Sequence, residues 1–168
     1  MQPNAIKWIW LSIFIVFLDQ LSKYYISHQL DLYESFRLLY GVNITYIHNA
    51  GAAFSFLSDA GGWQRWLFIV LSTGISIALV FWLKEQPSER VWLSIALALV
   101  LGGAVGNLID RILLGYVVDF IDIYYKSWHW PVFNIADSAI TVGVIMLIID
   151  SFWLDRSKVA TNSRDAKR

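Results

Sequence analysis

Val91-Trp92-Leu93-Ser94-Ile95-Ala96-Leu97-Ala98-Leu99-Val100-Leu101-Gly102-Gly103-Ala104-Val105-Gly106-Asn107-Leu108-Ile109 contains no charged side chain and ends against Asp110-Arg111. A bilayer core needs about 20 mostly apolar residues in a helix, so this stretch alone meets the criterion for a span. A second uncharged stretch, between Trp66 and Leu83, meets it too. The whole chain agrees, with 57% of 168 residues hydrophobic and only 15% charged, well away from the balance of a soluble domain. Net charge is zero, so no basic surface speaks for nucleic acid, and the lack of cysteine excludes disulfides, thiolate metal sites and a cysteine nucleophile.

Two further apolar blocks carry acids. One runs from Trp8 to about Tyr24, the other from Val132 to Trp153. The first resembles a secretory signal because Lys7 precedes an apolar stretch, but it runs into Asp19-Gln20-Leu21-Ser22-Lys23 with no small-residue cleavage pattern, which favours a retained helix. The expected architecture is membrane all-α: spans at about 8–24, 63–83, 91–113 and 132–153 within a single domain, 1–155, followed by a polar cytoplasmic tail, 156–168. Lys and Arg are more numerous on the side holding both termini, which puts the termini in the cytoplasm. Trp8, Trp10, Trp82, Trp92 and Trp153 then fall near the inner surface and Trp63, Trp66, Trp128 and Trp130 near the outer, as interfacial anchors should.

The outer connection between the first two spans should fold. Val42-Asn43-Ile44-Thr45-Tyr46-Ile47 is rich in β-branched and aromatic residues, and Asn49-Ala50-Gly51 supplies a turn before Ala52-Ala53-Phe54-Ser55-Phe56. A small antiparallel sheet over about 33–56, lying on the membrane, is expected.

Ionisable residues beside apolar spans are costly and commonly functional. Here they gather at one end: Asp19 and Lys23 at i and i+4, Asn107, Asp110 and Arg111 at i, i+3 and i+4, Asn134 and Asp137 at i and i+3, with Asp119 in the outer connection joining the last two spans. Gly102 and Gly106 form a small-xxx-small pair that lets a neighbouring helix approach the third span closely. Because that outer connection leaves and re-enters the same face, Asp119 and Asp137 lie at similar depth. Two carboxylates held close share one proton, so one serves as base and the other as acid, which is peptidase chemistry. Only His28, His48 and His129 are present, without H-E-x-x-H, so a zinc peptidase lacks its usual ligands, and no G-x-S-x-G elbow marks a serine nucleophile. No metal or cofactor is called for. A carboxylate-driven transporter is the competing class, opposed by sites at one end of the spans, no inverted repeat and no unwound spans. A non-catalytic assembly factor is a third.

Five blocks in this order resemble bacterial lipoprotein signal peptidase (signal peptidase II): Asp19-Gln20-Leu21-Ser22-Lys23, His48-Asn49-Ala50-Gly51-Ala52-Ala53-Phe54-Ser55, Gly102 to Arg111, Val117-Val118-Asp119-Phe120, and Phe133-Asn134-Ile135-Ala136-Asp137-Ser138. The resemblance implies an aspartyl endopeptidase of the bacterial inner membrane that removes signal peptides from diacylglyceryl-modified prolipoproteins, cutting just before the lipidated cysteine. It implies Asp119 and Asp137 as the catalytic pair, with Asp19, Lys23, Asn49, Gly51, Gly103, Asn107, Arg111 and Asn134 supporting the pocket. It further implies sensitivity to globomycin-type cyclic peptides. The orientation of the spans puts the active site near the outer face, contact with membrane lipid is expected, and a monomer is the expected state, although the sequence does not fix the oligomer.

Simpler readings stand beside these. Asp19 and Lys23 suit a structural ion pair, Asp110 and Arg111 a helix end with Arg111 reaching for lipid phosphate, and Asn134 a backbone partner near Pro131. Asp122 and Asp150 read as ordinary interfacial acids, His48 as sheet surface, and His129 as a belt residue beside Trp128 and Trp130.

Overall fold

The computed structural model describes residues 5–51 and 62–154, with the side chains of 153 and 154 excepted. The expected tail and the Ala52 to Phe56 stretch lie outside the described residues. Among the described residues, four helices are long and apolar enough to cross a membrane. They are α1 (Ile9–Gln29), α2 (Trp63–Glu85), α3 (Val91–Leu113) and α4 (Ile135–Ile149), the last extended by a π-helical turn, Asp150–Leu154.

Helix α3 is the centre of the bundle because its glycines admit neighbours on two sides. A Cβ on Gly102 would lie 2.8 Å from Ile15 Cβ and 2.9 Å from Ser12 O of α1, and one on Gly106 would lie 2.7 Å from Asp19 Oδ2. On the other side, a Cβ on Gly103 would collide with the carbonyl oxygen of Ala136 in α4. Gly143 of α4 answers in kind, where a Cβ would reach Val100 Cγ2 at 2.6 Å. The expected small-residue pair therefore serves α1, while Gly103 serves α4. In lipid there is little hydrophobic drive between helices, so such close backbone approach carries much of the packing. At the other end of the bundle, Arg90 pairs with Asp150 at 2.7 Å and ties the start of α3 to the end of α4.

The first helix runs to Gln29, past the expected limit near Tyr24, because Tyr24, Tyr25 and His28 continue the helix without a breaker. Conversely α4 begins only at Ile135: Pro131 lacks an N–H for a helix, Phe133 instead pairs with Ile121, and Asn134 caps the helix.

The sheet is antiparallel, in the order β1 (Ser35–Leu39), β2 (Val42–Asn49), β3 (Val117–Tyr125), β4 (Trp128–His129). Only half of it comes from the connection between α1 and α2. The stretch carrying Asp119, expected as a loop, is a nine-residue strand that pairs with β2. Its first four residues are all buried, so the alternation that betrays a half-exposed strand is missing. Ile26 of α1 packs with Tyr46, Val118 and Phe120, seating the sheet against the C-terminal end of α1.

Candidate active site

Asp19 is fully buried and accepts from Lys23 Nζ at 2.8 Å, as the i, i+4 spacing requires. Lys23 is buried as well, and its ammonium has two more partners, Asp110 Oδ2 at 3.0 Å and Asn107 Oδ1 at 2.9 Å. An ammonium carries three donors, so all three are used. Each acid also holds backbone. Asp19 Oδ1 accepts from the N–H of Ala136, one of the orphan donors in the first turn of α4, and Asp110 Oδ2 accepts from the N–H of Val118 in β3. Gln20 closes the group, donating to Asp110 Oδ1 at 2.9 Å and to Gly106 O at 3.1 Å. This buried cluster joins α1, α3, α4 and β3 at one point.

Asn107 hands the cluster on. Because its side-chain oxygen faces the Lys23 ammonium, its amide must point away, and Nδ2 donates to Asp137 Oδ1 at 2.7 Å. Asn134, fully buried, does the same for the other acid: Nδ2 donates to Asp119 Oδ1 at 2.7 Å and also lies 3.1 Å from Asn107 Oδ1. Its oxygen accepts from the N–H of Asp137 at 2.9 Å, while Asp137 Oδ2 accepts from the N–H of Asn134 at 3.2 Å, a complete capping box. The simple reading of Asn134 as a backbone partner and the reading as a support to the pair are both satisfied by one side chain.

Asp119 receives a second amide, from Asn49 Nδ2 at 2.9 Å, and Asn49 Oδ1 accepts from the N–H of Gly51 at 3.0 Å to form the expected turn. Asp119 is 2% exposed, and burial, followed by the charge of Asp137, pushes its carboxyl from the ordinary 3.8 up to about 7. Two Asn donors pull the other way and do not prevail. Arg111 is half-buried: its guanidinium sits 5.1 Å from the centre of the Phe68 ring and donates to Gly51 O at 3.2 Å and Asn107 O at 3.3 Å. It thus faces the end of β2, and lipid-directed reach is replaced by these contacts. Arg65 of α2 caps the C-terminal end of α3 through the carbonyls of Arg111 and Ile112, both at 2.8 Å.

Asp119, Asp137, Asn49, Asn107 and Arg111 all border one cavity of about 930 Å³. The rest of its lining is mainly apolar, with Ile123, Trp128, Trp130 and Pro131 from β3, β4 and the segment that follows, and with Ile140 and Val142 beside Ser138 and Thr141 of α4. Of the ten residues singled out from sequence, Gly103 alone acts only through helix packing; the others lie in this one hydrogen-bonded assembly or at its edge.

Two simple readings need correction. Asp122 is 5% exposed and pairs with His129 Nδ1 at 2.8 Å and Asn43 Nδ2 at 2.9 Å, because the hairpin of β3 and β4 brings residue 129 back beside it. His48 is half-buried rather than surface, stacked on Tyr116 with ring centres 3.7 Å apart and with Nε2 2.7 Å from the Tyr46 hydroxyl. Desolvation holds its pKa below the ordinary imidazole value.

A family model described as signal peptidase (SPase) II matches residues 11–153. The chain belongs to the signal peptidase II family. A lipoprotein signal peptidase of Shewanella pealeana is 54% identical over 151 residues, covering 90% of this chain and 89% of the relative. One of Acinetobacter baumannii is 53% identical over 156 residues, covering 93% and 89%. A bacterial membrane enzyme solved by the in meso method is similar in fold, with a TM-score of 0.81 and 36% identity over 94% of this chain and 95% of that one. Membership in signal peptidase II makes this chain a multi-pass bacterial membrane peptidase.

Proposed function

We propose that the chain is a lipoprotein signal peptidase of the aspartyl type, cleaving diacylglyceryl-modified prolipoproteins just before the lipidated cysteine. The observation that carries this reading is the pairing of Asp119 and Asp137 through Asn134 on the wall of one cavity, with the Asp119 carboxyl pushed up to about 7. At neutral pH such a pair holds one proton between two acids. The ionised carboxylate takes a proton from water as the water oxygen attacks the scissile carbonyl carbon, and the protonated partner donates to the carbonyl oxygen. Collapse of the tetrahedral species breaks the C–N bond as a proton passes to the leaving amine. No covalent link to the enzyme forms.

Supporting roles follow from the contacts. Lys23 fixes Asn107 so that an amide faces Asp137, Asp19 and Asp110 hold Lys23 while tying down α4 and β3, Asn49 and Asn134 orient Asp119, and Arg111 with Gly51 shapes the rim. Gly103 lets α4 approach so that Asn107 reaches Asp137. The apolar cavity walls suit an acyl-bearing substrate and a globomycin-type inhibitor. The Lys and Arg bias supports cytoplasmic termini, which sets the cavity at the outer face of the inner membrane. The domain is taken as 1–155, working as a monomer.

The test is cleavage of a synthetic diacylglyceryl precursor by detergent-purified protein, with mass spectrometry of the products. The expected products are a free signal peptide and a fragment beginning at the lipidated cysteine. Cleavage elsewhere, or equal cleavage of the unlipidated precursor, would contradict the substrate assignment.

A further inference from the structure

Asp122 is buried on the face of the sheet opposite Asp119, where no step of the peptidase mechanism uses it. Strand alternation sorts this part of the molecule into two sides. Asp119 and Ile123 border the cavity; Tyr125, on the same face, pairs with Trp128, which borders it as well. Asp122, Tyr124 and His129 lie on the other face, with Tyr124 paired to His129 in register and their rings 5.4 Å apart. There the Asp122 carboxylate accepts from Asn43 of β2 at 2.9 Å and meets His129 Nδ1 of β4 at 2.8 Å, so one side chain links three strands.

The strand β4 spans two residues and makes two pairings with β3, continued by the Trp130 N–H to Ile123 O at 2.8 Å and by the bridge of Phe133 to Ile121. The Asp122 contacts add a side-chain tie to this short run of backbone pairing. The turn before it places Lys126, a non-glycine, at φ 55°, a conformation that L residues adopt reluctantly, so turn chemistry adds little specificity. A slip of one residue would send Trp128 and Trp130 to the opposite face and remove the aromatic wall of the cavity.

We propose that Asp122 is a positioning residue for substrate binding: through His129 and Asn43 it locks the register of the β3–β4 hairpin and so keeps Trp128 and Trp130 on the cavity side. The inference rests on the peptidase reading of the cavity. It places the effect of Asp122 on binding, since Asp119 and Asp137 are held by their own Asn donors and by the Lys23 cluster.

The experiment is steady-state cleavage of the diacylglyceryl precursor by full-length Asp122→Asn, His129→Phe and His129→Asn. Asn at 122 removes the charge and keeps its oxygen for Asn43 Nδ2, so its amide meets His129 Nδ1 only as a weaker neutral bond to the other imidazole tautomer, and Phe at 129 keeps a ring against Tyr124 but lacks the ring nitrogen. Both variants should raise KM by up to about fivefold, the order expected for a solvent-screened charge contact, with kcat within about twofold of wild type. His129→Asn, whose amide occupies the place of Nδ1, should restore KM to near the wild-type value. Unchanged KM in Asp122→Asn and His129→Phe would overturn the proposal, as would a fall in kcat at constant KM or a failure of His129→Asn to restore binding. Failure of wild type to cleave would contradict the peptidase reading itself, which these outcomes leave distinguishable.

Discussion

Asn134 donates from Nδ2 to Asp119 Oδ1 at 2.7 Å while its own oxygen caps the N–H of Asp137 at 2.9 Å, so one residue sets both the start of α4 and the spacing of the two acids. The two roles can be separated. Asn134→Ser keeps a good helix-capping oxygen but is too short to reach Asp119. Losing a hydrogen bond to a charged group costs about 1.5–3 kcal/mol of stability and the bond to Val118 O goes with it, so the thermal midpoint in detergent should fall, and kcat should fall with it, roughly 10- to 100-fold, because Asp119 is no longer held. A large drop in midpoint with unchanged kcat would make Asn134 a cap alone.

Lys23 balances two buried acids and holds Asn107. Lys23→Met leaves Asp19 and Asp110 facing each other without their cation, and breaking a buried ion pair in this way costs about 3–5 kcal/mol. Chemical or thermal unfolding in detergent should show that loss, together with loss of cleavage because the Asn107 amide is no longer held toward Asp137.

The raised Asp119 carboxyl has consequences for pH. Its folded value, about 7, lies above the ordinary 3.8, so between these limits the folded state binds a proton that the unfolded chain releases. The resulting stabilisation is complete below about 3.8 and is lost as pH rises through 7; its size is on the order of 4 kcal/mol. The thermal midpoint of wild type should therefore fall between pH 5 and pH 8, and Asp119→Asn should flatten that dependence. Cleavage should decline above about pH 7 as the shared proton is lost.

Gly103 tests the packing. Gly103→Ala would set a methyl group against the Ala136 carbonyl and within 2.6 Å of Ile140 Cγ1, forcing α4 away from α3. Overpacking of this kind costs about 1–3 kcal/mol. Because Asn107 reaches Asp137 across the same interface, activity should fall further than stability, a comparison that paired melting and kinetic measurements make directly.

Much of this site could be read from spacing where its residues lie on helices or at their ends. Asp19 with Lys23, Asn107 with Asp110, and Asn134 with Asp137 all recur at helical intervals, and acids beside apolar spans attract notice. The chain's motifs also identified the family. Strand β3 was less legible because Val117 to Phe120 is buried on both faces and shows no alternation. The link between Asp122 and His129 was invisible for a different reason: seven residues match no helical contact, and only the turn at Lys126 and Ser127 brings them together. The polar partners of Arg111 depend on where β2 ends, which no local pattern fixes.

The most direct test of the account is the kcat of purified Asp119→Asn and Asp137→Asn on the diacylglyceryl precursor beside wild type, with folding checked by melting. The account predicts that each substitution lowers kcat by at least about a thousandfold in a folded protein, since neither acid can do the other's work. Cleavage by either variant at a rate near wild type would contradict the shared-proton pair and with it the aspartyl mechanism.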